Sequence, residues 1–181
     1  MKRIALLNRK IKSYLKKKQL IQSQEFVKLE KPYLLKSRKN FTVANMLMKV
    51  SDSEELKKVL RLSNNFEMYD WVIVVSYYSM YVSALSALAK LGFKSKSHAA
   101  TLLVLEYNYV HQMKGLEIKH LENLSKAYAL SEFLVNKLMQ TKGRRETAQY
   151  EATPEISKES ALASLKDADE FITRMEEIMR D

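Results

Sequence analysis

From Trp71 to Ala89 the chain runs nineteen residues without a charge (WVIVVSYYSMYVSALSALA). Apolar side chains in this run point to every side of a helical wheel, and such a helix must be wrapped by other helices or by lipid. No turn residue interrupts it before Gly92, so length predicts a helix rather than the strand that Val72 to Val75 alone would allow. Ser76, Ser79, Ser83 and Ser86 recur at intervals of three, four and three, which puts them in one line along that helix. Small hydroxyl side chains in a row let a neighbouring backbone come close and can bond the preceding turn. Tyr77, Tyr78 and Tyr81 flank the line with rings whose hydroxyls also need partners. The run approaches the ~20 residues that span a bilayer. Yet seven of its nineteen residues are Ser or Tyr, with the tyrosines mid-run rather than at its ends. The expectation is the central helix of a water-soluble bundle with an internal polar seam, and no membrane partner.

The rest of the chain supports an all-α fold. Only three Gly and two Pro occur in 181 residues, a length that suits one domain with or without an arm. The absence of cysteine removes disulfides, thiolate-bound zinc and thiol catalysis together. Met1–Arg3, then IALL and renewed charge, is not a signal-peptide pattern, so the expected location is cytoplasmic. The net charge of +10 is concentrated at one end. Residues 1–40 hold thirteen Lys/Arg against two Glu, whereas residues 41–181 hold eighteen against nineteen acids. This divides the chain into a basic N-terminal helical arm, 1–36, and an up-and-down helical bundle, 37–181. Such asymmetry points to a polyanion or an acidic partner; a solvated helix that only aids solubility is the plainer alternative.

Taken in order, residues 3–22 place Ile4, Leu7, Ile11 and Leu15 on one side of an amphipathic basic helix. Lys31-Pro32 is expected to interrupt the chain, leaving residues 23–36 as a connection before a helix over Ser37–Val50. Ser51 or Ser53 caps a short helix to Leu62, and the central helix follows. After Gly92, Lys94-Ser95-Lys96-Ser97 reads as a basic loop whose Ser97 caps a helix from His98 to Met113, with Leu102, Leu105 and Tyr109 inward. From Glu117 to Lys142, Leu121, Leu124, Tyr128, Ser131, Val135 and Leu138 form a seam suited to a near-antiparallel helix or a dimer mate. Thr153 and Pro154 then start a last helix with Leu162, Leu165, Ala168, Ile172 and Met175 inside.

The common enzyme signatures are missing: there is no Gly-rich phosphate loop and no nucleophile elbow. His98, His111 and His120 make no His-x-x-x-His pattern, so neither a metal nor another cofactor is expected. His98 opens a helix, where the positive dipole end and nearby Lys94 and Lys96 favour the neutral ring. Together with the first-turn amides these side chains could hold an anion; a histidine simply packed against the tyrosines is the alternative. Arg144 and Arg145 suit a helix C-terminus, but with Tyr150 they could also hold a phosphate or a base.

In order and spacing, Tyr69-Asp70-Trp71, Tyr77-Tyr78-Ser79-Met80, Lys96-Ser97-His98, Arg145-x-x-Ala148-Gln149-Tyr150 and Ala168-Asp169-Glu170-Phe171 resemble the HEPN domain (higher eukaryotes and prokaryotes nucleotide-binding), in its small prokaryotic and archaeal branch. The resemblance covers about residues 37 to 178. It implies a helical bundle that commonly forms a homodimer, binds RNA or a nucleotide, and often pairs with a small nucleotidyltransferase in toxin–antitoxin systems. Many such proteins are metal-independent ribonucleases with an Arg-x(4–6)-His motif. No arginine of this chain stands at that spacing before a histidine, and Gln149 replaces the usual acid of Arg-x-x-Ala-Asp-Tyr. Without that pair, attack by a ribose 2′-OH lacks its base and phosphate clamp. The expectation is therefore binding without confident catalytic residues, through Tyr77, Tyr78, Lys94, Lys96, Ser97, His98, Arg144, Arg145 and Tyr150. A protein-interaction module, or a weak ribonuclease using His98 with Arg145, are the alternatives.

Overall fold

The charge-free run forms the axis of the molecule. In the computed structural model, which describes residues 2–143 and 156–180, it lies within helix α4 (Tyr69–Lys90). The helix is long and apolar enough to cross a bilayer by composition alone, but 78% of its most apolar window is buried inside the chain. Helices α2 (Glu30–Asp52), α6 (Ile118–Gly143) and α7 (Lys158–Arg180) pack around it. The remaining helices are α1 (Lys2–Lys16), α3 (Glu54–Val59) and α5 (His98–Leu105), with a 3-10 turn at Gln24–Leu29 and a π-helical stretch at Glu106–Gln112. The architecture is an all-α helical bundle.

The serine line is the seam along which α2 meets α4. Ser76, Ser79, Ser83 and Ser86 are all buried. Ser37 Oγ on α2 donates to the Ser79 carbonyl at 2.8 Å, and Ser86 Oγ donates to the Glu30 carbonyl at 2.6 Å. Ser79 Oγ turns back to the Ser76 carbonyl of its own helix. Small side chains let the two backbones come close enough for hydroxyls to reach across, which Leu or Phe at these positions would prevent.

Helix α2 starts earlier than the sequence suggests. Lys31-Pro32 lies in its first turn, where a proline costs nothing because that turn's N–H groups have no intrahelical partner. Positions 36 and 37, where the arm is expected to end, therefore lie inside α2. The expected helix over 3–22 stops at Lys16; Leu20–Gln22 is instead a short strand, β1, paired antiparallel with β2 (Phe93–Ser95). Leu7 and Ile11 of α1 are buried, and Ile11 and Leu20 share a core cluster with Met80, Leu88, Leu105 and Phe171.

Gly92 makes the turn from α4 into β2. Its φ is +74°, and a Cβ there would lie 3.1 Å from the Ser23 carbonyl oxygen, so both conformation and space require glycine. Ser53 caps α3 through a bond from the Leu56 N–H, and Ser97 caps α5 through one from the Ala100 N–H. The helix expected over His98–Met113 is α-helical only to Leu105 and then widens into the π stretch. Within that stretch Tyr109 is fully buried and donates its hydroxyl to the Ala87 carbonyl. The last helix begins at Lys158, with Ser157 at its cap; Thr153 and Pro154 lie outside the described residues. Leu165, Ala168, Ile172 and Met175 face inward as expected, but Leu162 is exposed, while Ala161, Phe171 and Met179 join the core.

Candidate functional site

Three helices converge on one aromatic cluster. Helix α4 supplies Tyr77, Tyr78 and Tyr81, α5 supplies His98 as its first residue, and α6 supplies Tyr128. The His98 imidazole stacks on the Tyr128 ring with centroids 4.2 Å apart and planes within 11°. Tyr81 and Tyr77 close round it at 5.8 Å and 6.2 Å, and Tyr77 lies 5.6 Å from Tyr128. Tyr77 is buried at the base, whereas Tyr78, 5.3 Å from it, is half exposed at the edge.

The local sequence explains these placements. Tyr77 and Tyr81 are one turn apart and so share a face of α4. The Ser97 cap sets the backbone of the first turn of α5, and with it the direction from which His98 enters. Tyr128 lies four residues before Glu132, and its hydroxyl donates to Glu132 Oε1 at 3.0 Å, which orients the ring.

The electrostatics favour a neutral cluster. Burial lowers the His98 pKa from its ordinary 6.5, and the Glu132 carboxylate only partly opposes this. Burial also raises the Tyr77 hydroxyl, and the bond to Glu132 together with burial raises that of Tyr128. At neutral pH the site holds an uncharged imidazole and protonated phenols. A neutral imidazole offers one donor and one acceptor. Both His98 ring nitrogens are shielded from solvent and have no hydrogen-bond partner among the described residues. Most buried polar atoms are satisfied, so two orphans on one ring call for an explanation.

Of the residues the sequence singles out, Tyr77, Tyr78 and His98 come together, with Ser97 acting as the helix cap. Lys94 and Lys96 are exposed and enter by a different geometry. Rather than a loop, Lys94 and Ser95 belong to strand β2, and the Lys94 ammonium lies 5.7 Å over the Phe26 ring. No hydrogen bond joins either lysine side chain to the aromatic cluster among the described residues. Arg144, Arg145 and Tyr150 lie outside the described residues. The sequence reading missed Tyr128 as a site residue and Glu132 altogether. Their spacing of four on one helix was the available signal, but Tyr128 reads equally well as a seam residue.

Of the other two histidines, only His120 has a hydrogen-bond partner for a buried ring nitrogen; His111 Nε2, like the His98 nitrogens, has none among the described residues. His120 Nδ1 accepts the Glu117 N–H at the start of α6, and His111 Nε2 lies 3.5 Å from Glu106. No group of three or more metal-ligating side chains assembles among the described residues. Elsewhere, an open cleft of about 440 Å³ lies between α2, α3 and α7, lined by residues that include Met48, Asp52, Leu56 and Leu165.

Fold and site together define an all-α bundle with a tyrosine–histidine cluster where three of its helices meet. Compared with known proteins, the chain matches no protein-family model, and no curated protein matches it.

Proposed function

We propose that the protein is a cytoplasmic, dimeric, HEPN-type bundle that binds RNA or a nucleotide without strong catalysis. The observation that carries this reading is the His98–Tyr128 stack, whose imidazole keeps an unused donor and an unused acceptor, in a cluster whose Tyr77 also meets the accessible ring of Tyr78. A base can stack on the accessible Tyr78 ring, each such stack contributing about 1–3 kcal/mol, and exchange hydrogen bonds with the imidazole edge once the surrounding rings move aside. Lys94 and Lys96 stand on the chain just before His98, and Arg144, Arg145 and Tyr150 would complete the site as the family resemblance implies. The wide spacing of arginine from histidine in the sequence favours binding over cleavage.

The test is titration of end-labelled single-stranded RNA, and separately of adenosine and guanosine nucleotides, with the full chain. Tyr128→Ala and Tyr78→Ala should each weaken binding by about 5- to 150-fold, the loss of one stack, and the RNA should be recovered intact. Cleavage abolished by His98→Ala in a folded protein would instead establish the weak ribonuclease.

An interaction module is favoured by a separate observation. Leu56 lines the open cleft, and Val59 and Leu60 at the end of α3 are exposed after it, a surface where a protein partner such as a nucleotidyltransferase could sit. Co-purification of a small partner that is lost on Val59→Asp would select this reading.

A further inference from the structure

Antiparallel pairing of β1 with β2 carries two lysine groups, distant in sequence, to one place. Lys16, Lys17 and Lys18 end α1 and lead into β1, while Lys94 lies in β2 and Lys96 just after it. Leu20 pairs with Ser95 and Ile21 with Lys94, and the Lys96 N–H donates to the Gln19 carbonyl at 2.9 Å. Paired strands lie about 4.8 Å apart, so Lys96 stands beside the residue that follows Lys18. All five lysines are exposed, and none enters an ion pair among the described residues. The Phe26 ring holds Lys94 in place without neutralising it.

Two further features bear on this cluster and its partner. Lys18 has φ +55°, in a helix-ending turn where the Gln19 N–H reaches the Tyr14 carbonyl and the Lys18 N–H reaches that of Leu15. Glycine is the usual residue at that position, so a lysine there holds its charge against a backbone penalty, as Arg61 and Lys114 do elsewhere in the chain. The second observation concerns α1, whose Leu7 and Ile11 are buried in the molecule while its lysines face outward. A helix that sinks into a lipid surface needs an outward apolar face. The exposed chemistry therefore suits a polyanion in water.

We propose that Lys16, Lys17, Lys18, Lys94 and Lys96 form one composite surface that grips the phosphodiester backbone of RNA. The inference rests on the RNA reading above and extends it. The ribbon tracks phosphates, and His98, two residues after Lys96, receives a base.

The experiment uses the full chain, a labelled single-stranded RNA of about twelve nucleotides, and anisotropy titrations across a salt series. Lys17→Gln/Lys18→Gln and Lys94→Gln/Lys96→Gln each remove two cations from surface positions. For single strands each lost phosphate contact lowers the salt slope by about 0.7, so either pair should lower it by about 1.4 and weaken binding roughly 25-fold at 0.1 M salt. Lys126→Gln/Lys166→Gln makes the same charge change on α6 and α7 and should leave both quantities near their original values. Equal losses in all three double variants would reduce the effect to net charge and overturn the proposal. RNA binding that survives both ribbon variants but is lost in Tyr128→Ala would overturn this surface and leave the base site standing. Binding to phosphatidylserine vesicles with none to RNA would overturn both.

Discussion

The Arg38 guanidinium forks onto the Glu176 carboxylate, Nε to Oε1 at 2.6 Å and Nη2 to Oε2 at 2.7 Å, and so fastens α2 to α7. Asp169 and Thr173 accept further bonds from the same guanidinium. The two helices also share the faces of α4, so this clamp holds them at the angle from which both cover the central helix.

Breaking that clamp should cost stability in a pH-dependent way. The bonds to Arg38 lower the Glu176 pKa below its ordinary 4.5 and raise that of Arg38. A carboxyl depressed in the folded state contributes its full stability above 4.5 and loses it as pH falls through the folded value. Both partners are partly open to solvent, so Glu176→Gln should cost only about 1 kcal/mol at pH 7. Urea melts at pH 7 and below pH 4 should show this difference vanish in acid.

Gly115 is limited by space. A Cβ there would come within 2.7 Å of Ile178 Cγ2 on α7, and Arg174 Nε donates to the Gly115 carbonyl at 2.8 Å. Gly115→Ala should destabilise by about 1–3 kcal/mol through overpacking. Ile178→Ala opens the space, so the double variant should be more stable than the sum of the two single changes. Simple additivity in denaturant melts would argue against this steric cause.

Lys18 offers the opposite case. Its left-handed φ of 55° penalises any side chain with a Cβ. Lys18→Gly should raise stability by about 0.5–1 kcal/mol, the relief being partly offset by the greater freedom of glycine in the unfolded chain. A higher melting temperature checks this; a fall would mean that the lysine makes a stabilising contact in the turn.

His98 should show stability and function in conflict. Its two unpartnered nitrogens are desolvated without compensation, so His98→Phe should stabilise the fold by about 1–3 kcal/mol while abolishing ligand binding. The original protein should also lose stability in mild acid. The folded pKa lies below the ordinary 6.5, so the unfolded chain takes up a proton first, and stability falls as pH drops from 6.5 through the folded value. In His98→Phe this part of the pH profile should flatten.

Much of the architecture was legible in the residues themselves. The charge-free run became the innermost helix, Ser53 and Ser97 became caps, and Leu105, Tyr109, Leu121 and Leu124 became core. Each depends on neighbours within a turn or two, or on a simple period. The misreadings have equally local causes. Pro32 reads as a break because nothing in the sequence marks where a first turn begins, and a π stretch of seven residues is too short to show its longer period. Leu162 fits the apolar stripe of α7, yet it lies beside the open cleft.

By itself, then, the sequence determined that this is an all-α protein built round Trp71–Ala89, with a basic N-terminal helix and Tyr77, Tyr78 and His98 as residues to watch. Helical period, capping and burial preference act over a few residues and are written there. Only the tertiary structure decided that Tyr128 stacks on His98, that Arg38 clamps Glu176, and that Lys96 bonds the residue after Lys18. Those pairs are separated by dozens of residues or more. They meet because close packing of helices round α4, and the pairing of two three-residue strands, set distances that no local pattern encodes.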